Sequence, residues 1–209
     1  MSKHDRIINE VWSAITHGIG VILSVAGLVM LIIKSVQAGS AMQTVAFSIY
    51  GATLIGLFLF STLFHSLFFT RAKRVFQVFD HCGIYLLIVG TYTPFCLLAI
   101  GGLRGWIMLA VIWLLAIGGI VYHIACHNRS QKLETAIYVL MGWLCLMEGK
   151  QLFATLGVNG IILLVLGGVF FTVGALVYSS HLWKYNHVLW HLFVIMGAAS
   201  MFCSLYFYI

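Results

Sequence analysis

Apolar stretches of about twenty residues or more follow one another along nearly the whole chain, separated only by short polar connections. A helix that crosses a bilayer needs about 20 mostly apolar residues. Seven such stretches are predicted, at about 13–35, 42–68, 77–99, 104–125, 133–154, 159–180 and 186–208. They use up the 209 residues, so the expected fold is all-α: one domain, 1–209, forming a polytopic membrane protein with a seven-transmembrane-helix bundle. Composition agrees, since only 8% of residues are charged against about 25% in an average protein. The fifth stretch is the weakest, because Glu148 and Lys150 interrupt it. The third contains the single proline, Pro94, near Gly90, which predicts a kink. Small residues at Ala38-Gly39-Ser40-Ala41 offer a cleavage-like site. A cleavable signal peptide is nevertheless not expected, since the apolar run before them is too long and further spans follow. Five cysteines lie at scattered spacing in or beside spans and imply no disulfide framework.

The basic residues set an expected orientation. The N-terminal segment and the connections after the second, fourth and sixth stretches carry Lys3, Arg6, Arg71, Lys73, Arg74, Arg129, Lys132 and Lys184. The opposite side carries Lys34, Arg104 and Lys150. Excess Lys and Arg marks the cytoplasmic side, so the N-terminus is expected inside and the C-terminus outside. The net charge of +6 therefore points to anionic lipid head groups and not to nucleic acid.

With that orientation the polar residues converge at one membrane face. His187 and His191 are four residues apart and share one face of a helix. Ser61 and His65 form another such pair at the inner end of the second stretch, and Ser13 and His17, with Glu10, open the first. Asp80 opens the third. If these helices touch, three histidines and a carboxylate share one pocket. Three imidazoles with one open position is the ligand set of a catalytic zinc site, with Asp80 near the metal's water or orienting a ligand. Blander readings stand beside this one: interfacial histidines capping a span, and a carboxylate stabilised by a helix N-terminus. His123, Cys126 and His127 also have metal-like spacing, but no carboxylate is expected beside them, and they read as interfacial residues next to Asn128 and Arg129. His81 adjoins Asp80, yet neighbouring helical residues point about 100° apart.

Glu10 with Ser13-x-x-x-His17, Ser61-x-x-x-His65, Phe79-Asp80-His81-Cys82-Gly83-Ile84 and His187-x-x-x-His191 together resemble the hemolysin III branch of the progestin and adiponectin receptor family. That family belongs to a superfamily that includes the alkaline ceramidases. The resemblance covers essentially the whole chain. It implies seven helices, an N-terminus inside, zinc held by His65, His187 and His191, and Asp80 and Ser61 close to the metal. Glu10, Ser13 and His17 are expected in support. The long N-terminal region of the animal receptors has no counterpart here, so the expected location is a bacterial inner membrane.

A zinc ion polarises a carbonyl and lowers the pKa of a bound water to about 7. With Asp80 as base and Ser61 as hydrogen-bonding partner, such a site suits hydrolysis of a lipid amide or ester entering from the bilayer. Two rivals remain at this stage. One is a sensor in which zinc is structural; the other is a cytolysin or pore, against which stands the scarcity of charged residues to line a channel.

Overall fold

The computed structural model describes residues 2–126, 128–180 and 183–209; His127, one of the histidines with metal-like spacing, lies outside these. The elements are α1 (Lys3–Gln37), α2 (Ala41–Ser66), α3 (Lys73–Pro94), a π-helical turn (Phe95–Ile100), α4 (Gly102–Ala125), α5 (Gln131–Trp143), a 3-10 segment (Leu144–Glu148), α6 (Gly149–Ser180) and α7 (Asn186–Tyr208). In hydrocarbon a helix satisfies its own backbone hydrogen bonds, and this all-helical chain meets that requirement throughout its long elements. Six helical tracts among the described residues are long and apolar enough to cross a membrane. Their outer faces carry residues such as Ile22, Leu114 and Leu176, which are exposed as lipid-facing side chains should be. The protein is an integral membrane protein.

Several boundaries differ from the expected ones, each for a local reason. Helix α1 begins at Lys3, ten residues before the apolar run. Ser2 caps it, accepting from the Asp5 N–H, while the Asp5 carboxylate accepts from the Ser2 N–H. This reciprocal box satisfies orphan donors of the first turn and places Glu10 on a helix instead of in a tail. Helix α3 begins at Lys73, so Asp80 sits about two turns inside it. The first-turn dipole explanation for this carboxylate therefore fails, because that effect fades within one turn. Pro94 is the last α-helical residue of α3, and beyond it the chain widens into the π turn, with Gly101 N–H donating to Cys96 O at 2.9 Å. Gly101, at φ 68°, reverses the chain into α4.

The stretches expected at 133–154 and 159–180 form one 50-residue helical tract, Gln131–Ser180. Gly157 within it has φ 63° and ψ −173°, values open to glycine and strained for other residues. The indole N–H of Trp143 donates to Thr172 Oγ1 at 2.9 Å. On a straight helix these residues would stand about 43 Å apart at 1.5 Å per residue, so the tract doubles back.

The most extensive packing joins α6 with α7, α2 with α3, and α1 with α2, and α1 also meets α7. Small residues allow the close approaches. A Cβ on Gly167 would meet Met201 and the Gly197 carbonyl, and one on Gly174 would meet Phe193 and Trp190. Contact between α1, α2, α3 and α7 is what positions the polar cluster.

Candidate metal centre

Helix α7 starts after a turn in which the Asn186 side chain accepts from the Trp183 N–H at 3.1 Å. At the same end, Asn9 donates to the Lys184 carbonyl and Lys184 pairs with Asp5, which ties α1 to the start of α7. From α7, His187 and His191 point inward one turn apart; from α2, His65 meets them. His65 and His191 are buried, and His187 is half-buried. The Nε2 atoms of His65 and His187 are 3.0 Å apart, and those of His187 and His191 are 3.1 Å apart.

The outer nitrogens explain how the inner ones are charged with lone pairs. His65 Nδ1 lies 2.7 Å from Glu10 Oε2, a carboxylate that Lys73 Nζ also approaches at 3.5 Å. His191 Nδ1 lies 3.1 Å from the Ser13 carbonyl oxygen and 3.3 Å from Thr16 Oγ1. A carboxylate and a carbonyl accept hydrogen bonds only, so neutral His65 and His191 carry their protons on Nδ1. Their Nε2 atoms then present lone pairs. His187 has one proton and can place it between itself and one neighbour, which leaves the other short contact without a proton. A cation resolves this clash of lone pairs. Three nitrogens bound to zinc at 2.0–2.1 Å in tetrahedral geometry would be separated by about 3.3 Å, close to the two spacings from His187 to its neighbours. An imidazole whose second nitrogen donates to a carboxylate or carbonyl is also the usual arrangement of a metal-bound histidine. The donor set fits a divalent metal such as zinc.

The remaining residues of the sequence reading fall around this centre in different ways. The carboxylate of Glu10 engages His65 directly, whereas Ser13 contributes its carbonyl and not its hydroxyl. His17 is buried and stacks face to face on His191, ring centroids 3.5 Å apart and planes 9° from parallel, with Phe58 edge-on behind it at 4.9 Å. Phe58 fills the space that a Cβ on Gly20 would occupy. Asp80 neighbours His65, His81 and the fully buried Ser61, and it stands outside the group of three converging nitrogens. Thr16 and Lys73 also belong to the cluster, though no motif singles out Thr16, one residue from His17, and Lys73 carries only a topology signal in the sequence.

His123 is not the interfacial residue without a carboxylate partner that its spacing suggests. It is fully buried, and its Nδ1 lies 2.8 Å from Oε1 of Glu134, also buried. The chain turns back between α4 and α5, so that the first turns of α5 lie against the end of α4, and a partner eleven residues away is brought across the connection.

A cavity of about 140 Å³, open on one side, adjoins the cluster. Asp80, His187 and Tyr178 line its polar end, and Leu87, Trp143 and Phe171 line its apolar length. The histidine cluster is thus closed toward α1 by His17 and approached from the cavity beside His187.

Known proteins similar to this chain are these. The family described as haemolysin-III related matches residues 5–202. The chain is 46% identical over 200 residues to Hemolysin-3 of Bacillus cereus, covering 96% of this chain and 91% of that protein. It is 44% identical over 205 residues to the Hemolysin-3 homolog of Bacillus subtilis strain 168, covering 97% and 95%. A more distant similarity, 29% over 167 residues, is to the human Monocyte to macrophage differentiation factor, covering 77% of this chain and 69% of that protein.

Proposed function

Because this chain belongs to the haemolysin-III-related family, an integral membrane family, we propose that it is a zinc-dependent membrane hydrolase acting on lipid amides or esters. The observation that carries the proposal is the convergence of three imidazoles, with the Nε2 atom of His187 3.0 Å from that of His65 and 3.1 Å from that of His191, and two of the rings held from behind by Glu10 and Ser13. His65, His187 and His191 would hold the metal. Zinc, when bound, supplies a Lewis acid and lowers the pKa of a coordinated water to about 7.

The chain's own residues supply the rest. Asp80, on the cavity wall, accepts the proton of the attacking water and returns it to the departing amine or alcohol. The C–N or C–O bond breaks, and the acyl group leaves as a carboxylic acid. Ser61, buried beside Asp80, orients that carboxylate or hydrogen-bonds the developing oxyanion. The apolar length of the cavity excludes bulk water and accommodates an acyl chain. A purely structural metal would be sealed from every side; contact between the cavity and both His187 and Asp80 favours catalysis over the sensor reading. A pore is supported only by the relatives' name, since the cavity is walled mainly by apolar side chains. The test is turnover of a panel of acyl-amide and ester lipids by purified protein in bilayers. Release of fatty acid that stops on chelation supports the proposal, and no turnover across the panel rejects it.

The same reading includes the topology. The doubling back at Gly157 supports two crossings by Gln131–Ser180, which gives seven in all, with the N-terminus inside by the excess of Lys and Arg. A reporter active only in the cytoplasm should then be active when inserted at Lys73 and silent when fused after Ile209. Activity at both positions would remove the odd number of crossings.

A further inference from the structure

Where α1 meets the connection from α2 to α3, two cations converge on one aromatic ring. Lys73 Nζ lies 3.7 Å from the ring centroid of Phe68, and the guanidinium carbon of Arg6 lies 5.6 Å from the same centroid. Arg71 and Arg74 stand exposed on the same short connection, next to Phe69, which is 76% exposed. A single carboxylate is paired with this group: Lys73 Nζ lies 3.5 Å from Glu10 Oε1. Among the described residues no ion pair includes Arg6, Arg71 or Arg74. Asp5, beside Arg6 in the sequence, caps α1 with Ser2 and pairs with Lys184.

Topology accounts for an excess of basic residues on this side, but not for their gathering on one ring. An aromatic face attracts a cation; two cations on one ring repel each other, and an anion relieves that repulsion. Basic pockets between membrane helices at the cytoplasmic side take the head groups of anionic lipids. Glu10 joins this corner to the metal centre, because its Oε2 accepts from His65 Nδ1 at 2.7 Å while its Oε1 faces Lys73. Lys73 thus competes with His65 for the charge of one carboxylate. A phosphate that takes over Lys73 leaves Glu10 the stronger acceptor for His65, which raises the basicity of His65 Nε2 toward a metal.

We propose that Arg6 and Lys73, with Arg71 and Arg74 on the same connection, bind the phosphate of a lipid of net negative charge in the adjoining leaflet, and that filling this site tightens the metal centre through Glu10. The second half rests on reading His65, His187 and His191 as metal ligands; the first half stands without it.

The lipid half is tested on the full-length protein in dodecyl maltoside with equal amounts of phosphatidylcholine and phosphatidylglycerol, reading retained lipid by native mass spectrometry. Wild type should retain phosphatidylglycerol preferentially. Arg6→Gln with Lys73→Gln should weaken that preference by about fivefold for each cation removed, whereas Lys3→Gln with Lys132→Gln, an equal change of charge at exposed positions, should keep it. Glycerol 3-phosphate in solution should not displace the retained lipid. Equal retention of the two lipids by wild type would overturn the site, as would an equal loss of preference in both double variants, which would mean general surface charge. Full displacement by glycerol 3-phosphate would overturn the lipid as its source of phosphate.

The coupling is tested by competing zinc against a chelating dye in bilayer discs. In phosphatidylcholine alone, Lys73→Gln should bind zinc a few-fold more tightly than wild type; a lysine that merely held Glu10 in place would give looser binding on removal. Added phosphatidylglycerol should tighten zinc binding more in wild type than in Lys73→Gln, since the general attraction of an anionic surface for the ion acts on both proteins alike. Equal tightening in the two proteins, or looser binding by Lys73→Gln, would overturn the coupling. Wild type that binds no zinc would overturn the coupling together with the metal centre, and the lipid retention would still decide the site.

Discussion

Asp80→Asn is expected to lower hydrolysis of an acyl-amide lipid by on the order of 10²–10⁴ in rate, the range for loss of a general base, while zinc content and thermal stability stay near wild type. Asparagine keeps the size and the hydrogen-bonding reach of the side chain but cannot take a proton. The expectation of normal metal content comes from position. Asp80 lies on the cavity wall beside Ser61 and His65, outside the three nitrogens that converge within 4.8 Å of one another. If Asp80→Asn protein loses its metal together with its fold, the carboxylate holds the bundle, and the structural-zinc reading gains over the catalytic one. Parallel measurement of fatty-acid release, metal content and melting temperature separates these results.

His187→Ala combined with His191→Ala should remove most of the bound zinc. Two of three donors go, and the remaining imidazole of His65 cannot by itself retain the ion through purification. Stability should fall with it, because a ligand that binds only the folded state at a thousandfold excess over its Kd contributes about 4 kcal/mol. His123→Ala should keep the metal, since His123 pairs with Glu134 on the far side of His81. Metal analysis of the purified variants checks both statements. A double variant that retains a full complement of zinc would show that α7 does not provide the donors.

Most of the helical layout is legible in the sequence because membrane solvent imposes a simple rule. Apolar runs must be helical and about bilayer length, and Asn186–Tyr208 falls where the apolar run places it. The histidine cluster is legible for a related reason. The i, i+4 spacing fixes His187 and His191 on one face, and the distribution of basic residues puts His65 at the same end. Features that depend on caps and returns are harder to read. Ser2 and Asp5 extend α1 backward through Glu10, and apolar periodicity carries no trace of that capping box. Hydrophobicity alone places Asp80 in a first turn, because the segment Lys73–Gln77, with polar Lys73, Arg74 and Gln77, lies before the apolar run yet is already helical. The His123–Glu134 pair is hidden by the connection between α4 and α5; nothing in their spacing signals contact. Ser13 acts through its backbone carbonyl, which no side-chain motif can reveal, and the stacking of His17 on His191 depends on how closely Gly20 lets Phe58 approach.

The central claim is that three imidazole nitrogens from α2 and α7 hold one metal ion. The zinc K-edge X-ray absorption spectrum of the purified protein tests it most directly. The expected spectrum corresponds to about one zinc per chain with a first shell of nitrogen and oxygen at 2.0–2.1 Å and the outer-shell scattering of imidazole rings. A sulfur shell at about 2.3 Å would place the metal on cysteines instead, and protein that holds no zinc after equilibration with the ion would contradict the claim outright.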